Sequence, residues 1–502
     1  MFTKVKQFIT KVGVKLGIVQ ELESISQLKK INISNDYYNR ILQWKELHKG
    51  YEKGIHCVSG YSVGKGYFDR DLATLNMPKV VSQELANLIF NERASIAISA
   101  NESVSEFVEN VFKRNGFNGN FQQYLEFMFA QGGMAIKPYV NGDRIDLSYS
   151  TAETFIPISW NNDKITEAVF PSYMKKDNKY YTLLEWHLFN DDGRYTIRNE
   201  LYVSSDKNKI GIKTRLSELY PDLTEEVIFS ERVKEPLFVY FKPNTANNID
   251  TQSPLGISIY ANSYDTLKLI DTIYDSFLRE YKLGRKRILI SQSAVNTVID
   301  RTTGKPKRFF NAMDETYEAI GGGMSDETLI KEVDSTLRIQ EHVEGLNAAL
   351  DTLSLQIGFS PGTFSFTSNG GLKTATEVVS ENSKTFRTKK GHENLIEQRI
   401  TELVNSIALL ADEVGLIVYN EDIEVTVTFD DSIIQDRDAE EDREIKLIAA
   451  GLQSKVDAIM NIYGLTEQEA LEKLQKIEQE RRLEMPDIET LRSNLTLGGE
   501  FE

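Results

Sequence analysis

The spacing of apolar positions changes several times along this chain and divides it into helical and strand-rich stretches. From residue 20 to about residue 130, apolar side chains recur every three or four positions, as in VSQELANLIF and FQQYLEFMFA, which predicts amphipathic helices. From Gly132 to about Ser204 the period drops to two, and Asn-Gly-Asp and Asn-Asp-Asp-Gly clusters interrupt it, which predicts a hairpin-rich sheet. The first half of the chain therefore indicates an α+β fold.

A helical pattern returns in the second half of the chain and is interrupted once. Leu267 and Ile270 begin the apolar stripe of a predicted long helix that ends near Gly284. Residues 285–335 are short and strand-like, and the apolar spacing from Val343 to Ile357 then predicts a second long helix. Two long helices that flank a small module predict a projecting helical hairpin with the module at its tip.

The segment GFSPGTFSFTSNGG follows the second of these helices. Its Gly, Pro, Ser and Asn residues predict a loop, although Phe359, Phe364 and Phe366 are unusually apolar for one. A third long helix, the strand IEVTVTF, an acidic run and a helical tail come after the loop. The loop is therefore predicted to connect two long helices.

Composition narrows the class of protein. The 502 residues exceed what one hydrophobic core usually organises, so we expect several structural regions. Apolar residues make up 40% of the sequence, but no uncharged apolar run is long enough to span a membrane. The single cysteine, Cys57, excludes an intrachain disulfide and suits a reducing cytoplasm. With 58 basic and 75 acidic residues the net charge is −17, so any contact with DNA is expected to be local or weak.

The N-terminal stretch MFTKVKQFITKVGVKLGI mixes lysines with apolar residues. A secretory signal would instead place a charged start before a continuous apolar run. An amphipathic helix at a membrane surface and an arm that docks on a partner both remain open, and Gly13 and Gly17 favour the arm.

Signatures of catalysis are weak in this sequence. GYSVGKG, from Gly60 to Gly66, is one residue shorter than a phosphate-binding loop and has glycine where the magnesium-binding Ser or Thr should stand. The five histidines lack the spacing of a local zinc site, and the acidic run from Asp430 to Glu444 lacks the pattern of an EF-hand loop. We therefore expect no catalytic residue, no metal site, no cofactor and no enzymatic activity.

The apolar stripes of the long helices have two interpretations. They pack in the core of a monomer, or they are covered by other copies of the chain. A projecting hairpin has too little chain around it to bury its own stripes, so the order of the elements favours a homo-oligomer.

Several motifs resemble the portal family of long-tailed phages that infect Gram-positive bacteria. They are GFSPGTFSF at 358–366, GGLKTATEV at 370–378 and GGMAIKPY at 132–139 with the hairpins that follow it. The resemblance covers nearly the whole chain. It implies a portal-type subunit with an α/β wing, a two-helix stem, a small α/β clip, a long kinked helix and a helical crown.

The resemblance also implies where these regions lie and what they do. The subunits would form a ring, usually of twelve, at one capsid vertex in the virion, after assembly in the host cytoplasm. The expected partners are double-stranded DNA passing without sequence specificity, the terminase large subunit, head-completion (adaptor) proteins, and the major capsid and scaffolding proteins, but no membrane. The implied regions are an N-terminal arm (1–24), wing (25–256 and 375–432), stem helices (257–284 and 336–357), clip (285–335), tunnel loop (358–374) and crown (433–502).

Candidate site residues follow from these regions. Asp271 and Asp275, four residues apart on one helical face, would line the channel and keep DNA centred by repulsion. The clip would dock its partner through Arg301, Lys305, Lys307 and Arg308. The tunnel loop would contact DNA through Phe359, Thr363, Phe364, Phe366, Asn369 and Lys373, although an ordinary exposed lysine beside a helix start is an equally good interpretation of the last.

Two other classes of function stay open. A head-associated nuclease or ATPase would need a phosphate loop or clustered metal carboxylates. A monomeric adaptor protein would bind its partners through the helical tail, and a native mass measurement would distinguish it from a ring.

Overall fold

The computed structural model divides the chain into two compact units, formed by residues 1–370 with 387–428 and by residues 371–386 with 429–502. The predicted N-terminal arm and the run from 430 to 443 lie outside the described residues. Residues described are 35–62, 66–162, 164–284, 287–290, 296–299, 302–304, 306–309, 330–333, 336–366, 382–419, 423–429, 444–463 and 467–484.

Among the described residues of the first unit, five helices precede the large sheets, as the three- to four-residue spacing predicts. In the fourth, Val104, Val108 and Val111 lie on the buried side, and the Asn101 side chain caps the start by accepting a hydrogen bond from the Ser103 amide. The five helices are α1 (Asn35–His48), α2 (Lys53–His56), α3 (Met77–Ile89), α4 (Glu102–Arg114) and α5 (Phe117–Gln131).

The period-two stretch forms antiparallel sheets, which confirms the hairpin prediction. A three-stranded sheet has the order β12-β4-β5, and a larger sheet has the order β10-β9-β8-β7-β6 with β11 paired to β9. Their strands are β4 (Met134–Asn141), β5 (Arg144–Thr151), β6 (Ile156–Asn161), β7 (Lys164–Lys176), β8 (Lys179–Phe189), β9 (Tyr195–Ser204), β10 (Ile212–Thr214), β11 (Glu226–Ile228) and β12 (Val239–Phe241).

Two smaller ribbons lie in the same unit. Strands β1 (Cys57–Ser62) and β2 (Gly66–Asp71) form an antiparallel hairpin. Strand β3 (Ser95–Ser99) pairs with β17 (Glu424–Thr428), which comes from the far end of the unit's sequence.

The predicted helical hairpin is present, with helices α6 (Tyr264–Leu283) and α7 (Ile339–Ile357). The first helix begins seven residues later than the predicted start at 257, because Ile257 and Ile259 are buried in the body and the Ile259 amide donates to the Phe129 carbonyl. Between the helices lie β13 (Arg287–Ile290) paired with β16 (Ile330–Val333), and β14 (Asn296–Ile299) paired with β15 (Pro306–Phe309).

Three further helices are α8 (Ser383–Glu413), α9 (Lys455–Tyr463) and α10 (Glu467–Glu484). In α8, Ile400, Leu403, Val404 and Ile407 are completely buried, so this long helix belongs to the core of the first unit over most of its length. Within the described part of the chain no helix is long and apolar enough to cross a membrane.

A buried polar cluster joins the two sheets. The Lys137 ammonium on β4 lies 2.5 Å from the Glu185 carboxylate on β8, and His187 Nε2 lies 2.9 Å from the other oxygen of the same carboxylate. Tyr195 lies 2.6 Å from the second ring nitrogen of His187. Burial alone would raise the pKa of Glu185, but the two partners outweigh it and hold this pKa well below its usual range.

Candidate functional site

The base of the helical hairpin is fixed by a carboxylate on α6. Asp271 accepts hydrogen bonds from the Leu75 amide at 2.8 Å and the Thr74 hydroxyl at 3.0 Å, and its Oδ2 lies 2.9 Å from His56 Nε2. Its side chain is almost completely buried. Burial alone would lower the pKa of His56, but the bond to Asp271 outweighs burial and raises this pKa, so the pair favours the charged imidazolium.

One turn further along α6, Asp275 makes a second set of bonds to the same segment. The two guanidinium nitrogens of Arg70 donate to its two carboxylate oxygens at 2.8 and 2.7 Å, and the Ala73 amide donates at 3.1 Å. The hydrogen bonds from Arg70 hold the pKa of Asp275 below its usual range. This fork-shaped arrangement is the strong form of a protein ion pair.

The expectation that Asp271 and Asp275 line a channel is wrong. The sequence placed them correctly on one helical face, but that face packs against His56 and residues 70–75 of the same subunit, and both carboxylates are buried and paired. Paired, buried carboxylates cannot repel DNA in a lumen. Their role in this structure is to fix helix α6 to the β1–β2 hairpin and the segment after it.

Near the end of α6 and the start of α7, an ion pair at the surface joins the two helices. Glu280 on α6 accepts two hydrogen bonds from the guanidinium of Arg338, at 3.2 and 2.9 Å, just before α7 begins. These bonds lower the pKa of Glu280 to about 2. His342 lies 3.8 Å from the same carboxylate and packs against Phe277, so the outer hairpin has its own polar and aromatic contacts.

The hairpin also exposes large apolar side chains. Six of them are between 39% and 54% exposed in the single subunit, although the inner parts of both helices are buried. Single exposed apolar residues are ordinary, but six on one two-helix hairpin leave a large apolar area outside the subunit. They are Leu269, Leu278, Tyr281, Leu283, Ile339 and Leu355.

Helix α7 ends in a turn that only glycine fits. Gly358 has φ +91°, and a Cβ there would lie 2.7 Å from the hydroxyl of Thr388 on α8. The amide of Phe359 donates to the Ser354 carbonyl at 2.8 Å, as in a Schellman motif, and its ring is 1% exposed with its centroid 5.2 Å from that of Phe364. The prediction that Phe359 contacts DNA is therefore wrong, because this ring is core.

The rest of the described loop folds back along α7. Asp351 accepts a hydrogen bond from the Gly362 amide at 2.7 Å, and Asn347 accepts one from the Phe366 amide at 2.9 Å. Phe364 is half-buried, whereas the ring of Phe366 is 59% exposed. Thr363 is exposed and its hydroxyl donates to the Ser360 carbonyl within the loop, and the predicted contacts Asn369 and Lys373 lie outside the described residues.

The predicted docking residues between the helices are described only in part. Lys307 and Arg308 lie on strand β15, where they pair with Val298 and Thr297 of β14. Arg301 and Lys305 lie outside the described residues. Their role in docking a partner stays a prediction.

The segment that resembled a phosphate loop has a different structure. Gly60 lies in β1 and Gly66 begins β2, and the two strands pair antiparallel with Gly60 opposite Phe68. A phosphate loop connects a strand to a helix whose N-terminus faces the phosphates, whereas here the residues described on both sides of 63–65 are strands. Among the residues that the structure describes, no group of three or more His, Cys, Asp or Glu side chains is arranged to hold a metal ion.

Comparison with known families identifies the class of protein to which this fold belongs. A family model described as "Phage portal protein, SPP1 Gp6-like" matches residues 26–485. The match covers most of the chain, so the chain belongs to this family of phage portal proteins. No curated protein matches it at a significant level.

Two solved structures are also similar to this chain. One is the neck of an empty GTA particle computed with C6 symmetry, with 10% identity, a TM-score of 0.43, and coverage of 78% of this chain and 89% of that chain. The other is the virion of a native gene transfer agent (GTA) particle, with 11% identity, a TM-score of 0.38, and coverage of 78% and 88%.

Proposed function

We propose that this portal protein is the repeating subunit of a ring, usually of twelve copies, that forms the DNA channel at one capsid vertex. The observation that carries the proposal is the hairpin of α6 and α7, on which six large apolar side chains are 39% to 54% exposed in the single subunit. In a ring, the helices of the two neighbours would bury these side chains, since every copy presents the same ones. The genome would enter and leave the head through the channel.

The partners follow from this position in the virion. The terminase large subunit would dock at the strands between α6 and α7 during packaging, and head-completion proteins would replace it afterwards. The major capsid and scaffolding proteins would surround the ring while it assembles in the host cytoplasm. The predicted tunnel loop, residues 358–374, would reach the DNA beyond its buried start at Phe359, with the exposed ring of Phe366 toward the duplex.

A weak grip suits a channel that passes DNA of any sequence. Each phosphate that a protein neutralises adds salt-sensitive affinity, and such affinity would oppose movement. The net charge of −17 agrees with low overall affinity for DNA. The exposed, uncharged ring of Phe366 would contact the passing duplex without holding it.

A ring is tested by particle mass and microscopy of the purified protein. We expect closed rings whose mass is a multiple of 57.2 kDa, and we expect Leu269→Asp and Leu283→Asp to weaken them because each places a charge in the proposed interface. Ile212→Asp is the matched control, since Ile212 is an exposed apolar residue on strand β10, away from the hairpin. Particles that remain monomeric across salt and protein concentrations would favour an adaptor protein instead.

We further propose that the chain is not an enzyme and that the packaging motor is a separate terminase. The β1–β2 hairpin lacks the strand-to-helix geometry of a phosphate loop, so purified protein should neither hydrolyse ATP nor cut DNA. Magnesium-dependent turnover that survives purification and disappears in Lys65→Ala would overturn this and favour the nuclease or ATPase class.

A further inference from the structure

Two side chains of helix α7 bind the backbone of the loop that follows it. Asp351 and Asn347 are four residues apart, so they lie one turn apart on the same face. Asp351 accepts a hydrogen bond from the Gly362 amide at 2.7 Å, and Asn347 accepts one from the Phe366 amide at 2.9 Å. The loop therefore runs back along the helix and is held to it at two points.

The part of the loop between the end of α7 and the Phe366 amide also has contacts of its own. The Phe359 ring anchors its start in the core and contacts Phe364. The hydroxyls of Thr363 and Ser365 each donate to a carbonyl three residues earlier, at 2.6 and 3.1 Å. Residues 358–366 thus form an ordered limb rather than a free connection.

We infer that Asn347 and Asp351 are positioning residues, which we call the clasp, that hold residues 358–366 on α7 and so determine where the exposed ring of Phe366 lies. The inference rests on the proposed function insofar as Phe366 contacts DNA. If the clasp holds, a force on Phe366 is transmitted to α7 through the two hydrogen bonds, and residues 358–366 move together with that helix.

The alternative is that the two bonds are incidental. Loop amides need acceptors, and short polar side chains on a neighbouring helix commonly supply them at no functional gain, because water can replace them. Under that alternative, removing both acceptors would leave the limb in place, since the buried Phe359 ring would still anchor it.

The test compares the double variant Asn347→Ala/Asp351→Ala with the wild-type ring by hydrogen exchange of peptides covering 359–366 and by DNA packaging rate. Alanine favours helix, so α7 itself should not loosen. Asp351→Asn keeps an acceptor oxygen, so its hydrogen exchange in residues 359–366 should be closer to wild type than that of the single variant Asp351→Ala. Thr352→Ala is the matched control, because the Thr352 hydroxyl bonds within α7, to the Ala348 carbonyl.

We expect exchange in residues 359–366 to become about 5- to 10-fold faster in the double variant, as for the loss of one or two solvent-accessible hydrogen bonds, with rings intact and packaging slowed. Unchanged exchange would overturn the clasp whatever packaging does. Faster exchange with wild-type packaging would overturn its positioning role, while the proposed channel would stand. Wild-type rings that support no packaging would refute the channel, and the exchange measurement would still decide the clasp.

Discussion

Replacing Arg70 by methionine tests whether buried carboxylates hold the stem helix to the body of the subunit. Methionine keeps much of the apolar stem but removes both charged hydrogen bonds to Asp275. Removing one partner of a buried pair costs about 3–5 kcal/mol, because the other charge stays desolvated. Since the Arg70 side chain is 31% exposed and that of Asp275 only 7%, water screens part of the pair, and we expect about 2–3 kcal/mol.

The loss of stability in Arg70→Met is best measured as local opening, by hydrogen exchange in the β1–β2 hairpin and the first half of α6. An energy of this size corresponds to exchange about 30- to 150-fold faster in both peptides. Asp275→Asn should cost less than Arg70→Met, because the freed guanidinium reaches water whereas the freed carboxylate does not. Lys282→Met, at an exposed position two turns along α6, is the control and should change little.

The effect also has a defined pH dependence. Arg70 lowers the pKa of Asp275 below its ordinary value of 3.8, so the stabilisation is present above that value and is lost as the pH falls through the lowered pKa. In Arg70→Met, burial without the cation would raise this pKa instead, and protonation would relieve the cost. The difference in stability between wild type and Arg70→Met should therefore narrow from pH 7 to pH 4. A constant difference, or one no larger than that of Lys282→Met, would refute the reasoning.

The remaining predictions concern the loop and the sheets. Phe359→Ala should lower stability by about 3–5 kcal/mol in thermal unfolding, whereas Phe366→Ala should stay within about 0.5 kcal/mol and affect packaging instead. Gly358→Ala should cost at least about 1–2 kcal/mol, since alanine would have to adopt φ +91°, and a wild-type melting temperature would contradict this. Lys137→Met should destabilise by about 3–5 kcal/mol in denaturant unfolding by removing the cation that lies beside the buried Glu185 carboxylate, and adding Glu185→Gln should recover part of the loss.

Much of the architecture was predictable because local periodicity encodes it. The stripe beginning at Leu267 predicted α6, and the four-residue spacing of Asp271 and Asp275 correctly placed both on one face. Which way that face points depends on His56 and Arg70, about 200 residues earlier in the chain, and no local pattern encodes such a contact. The buried pairs were missed for this reason.

The start of the loop after α7 carries a sequence pattern that indicates a buried side chain. Glycine after a helix, followed directly by an apolar residue, is the pattern of a Schellman motif, in which the apolar residue packs back on the last turn. Gly358 and Phe359 fit that pattern, so Phe359 could have been assigned to the core from the sequence. Composition alone could not separate it from Phe366, which belongs to the same run of phenylalanines and is exposed.

The pairing of β3 with β17 constrains when the subunit can finish folding. The paired residues, such as Ser95 and Thr428, are separated by about 330 residues along the chain. At roughly 5–20 residues per second, a ribosome needs on the order of 15 to 65 s to make that stretch, and closing so long a loop is slow in addition. During this time the nascent chain carries β3 as an open strand edge, so early helices and hairpins can form while completion of the unit is deferred until its C-terminal strand has been synthesised.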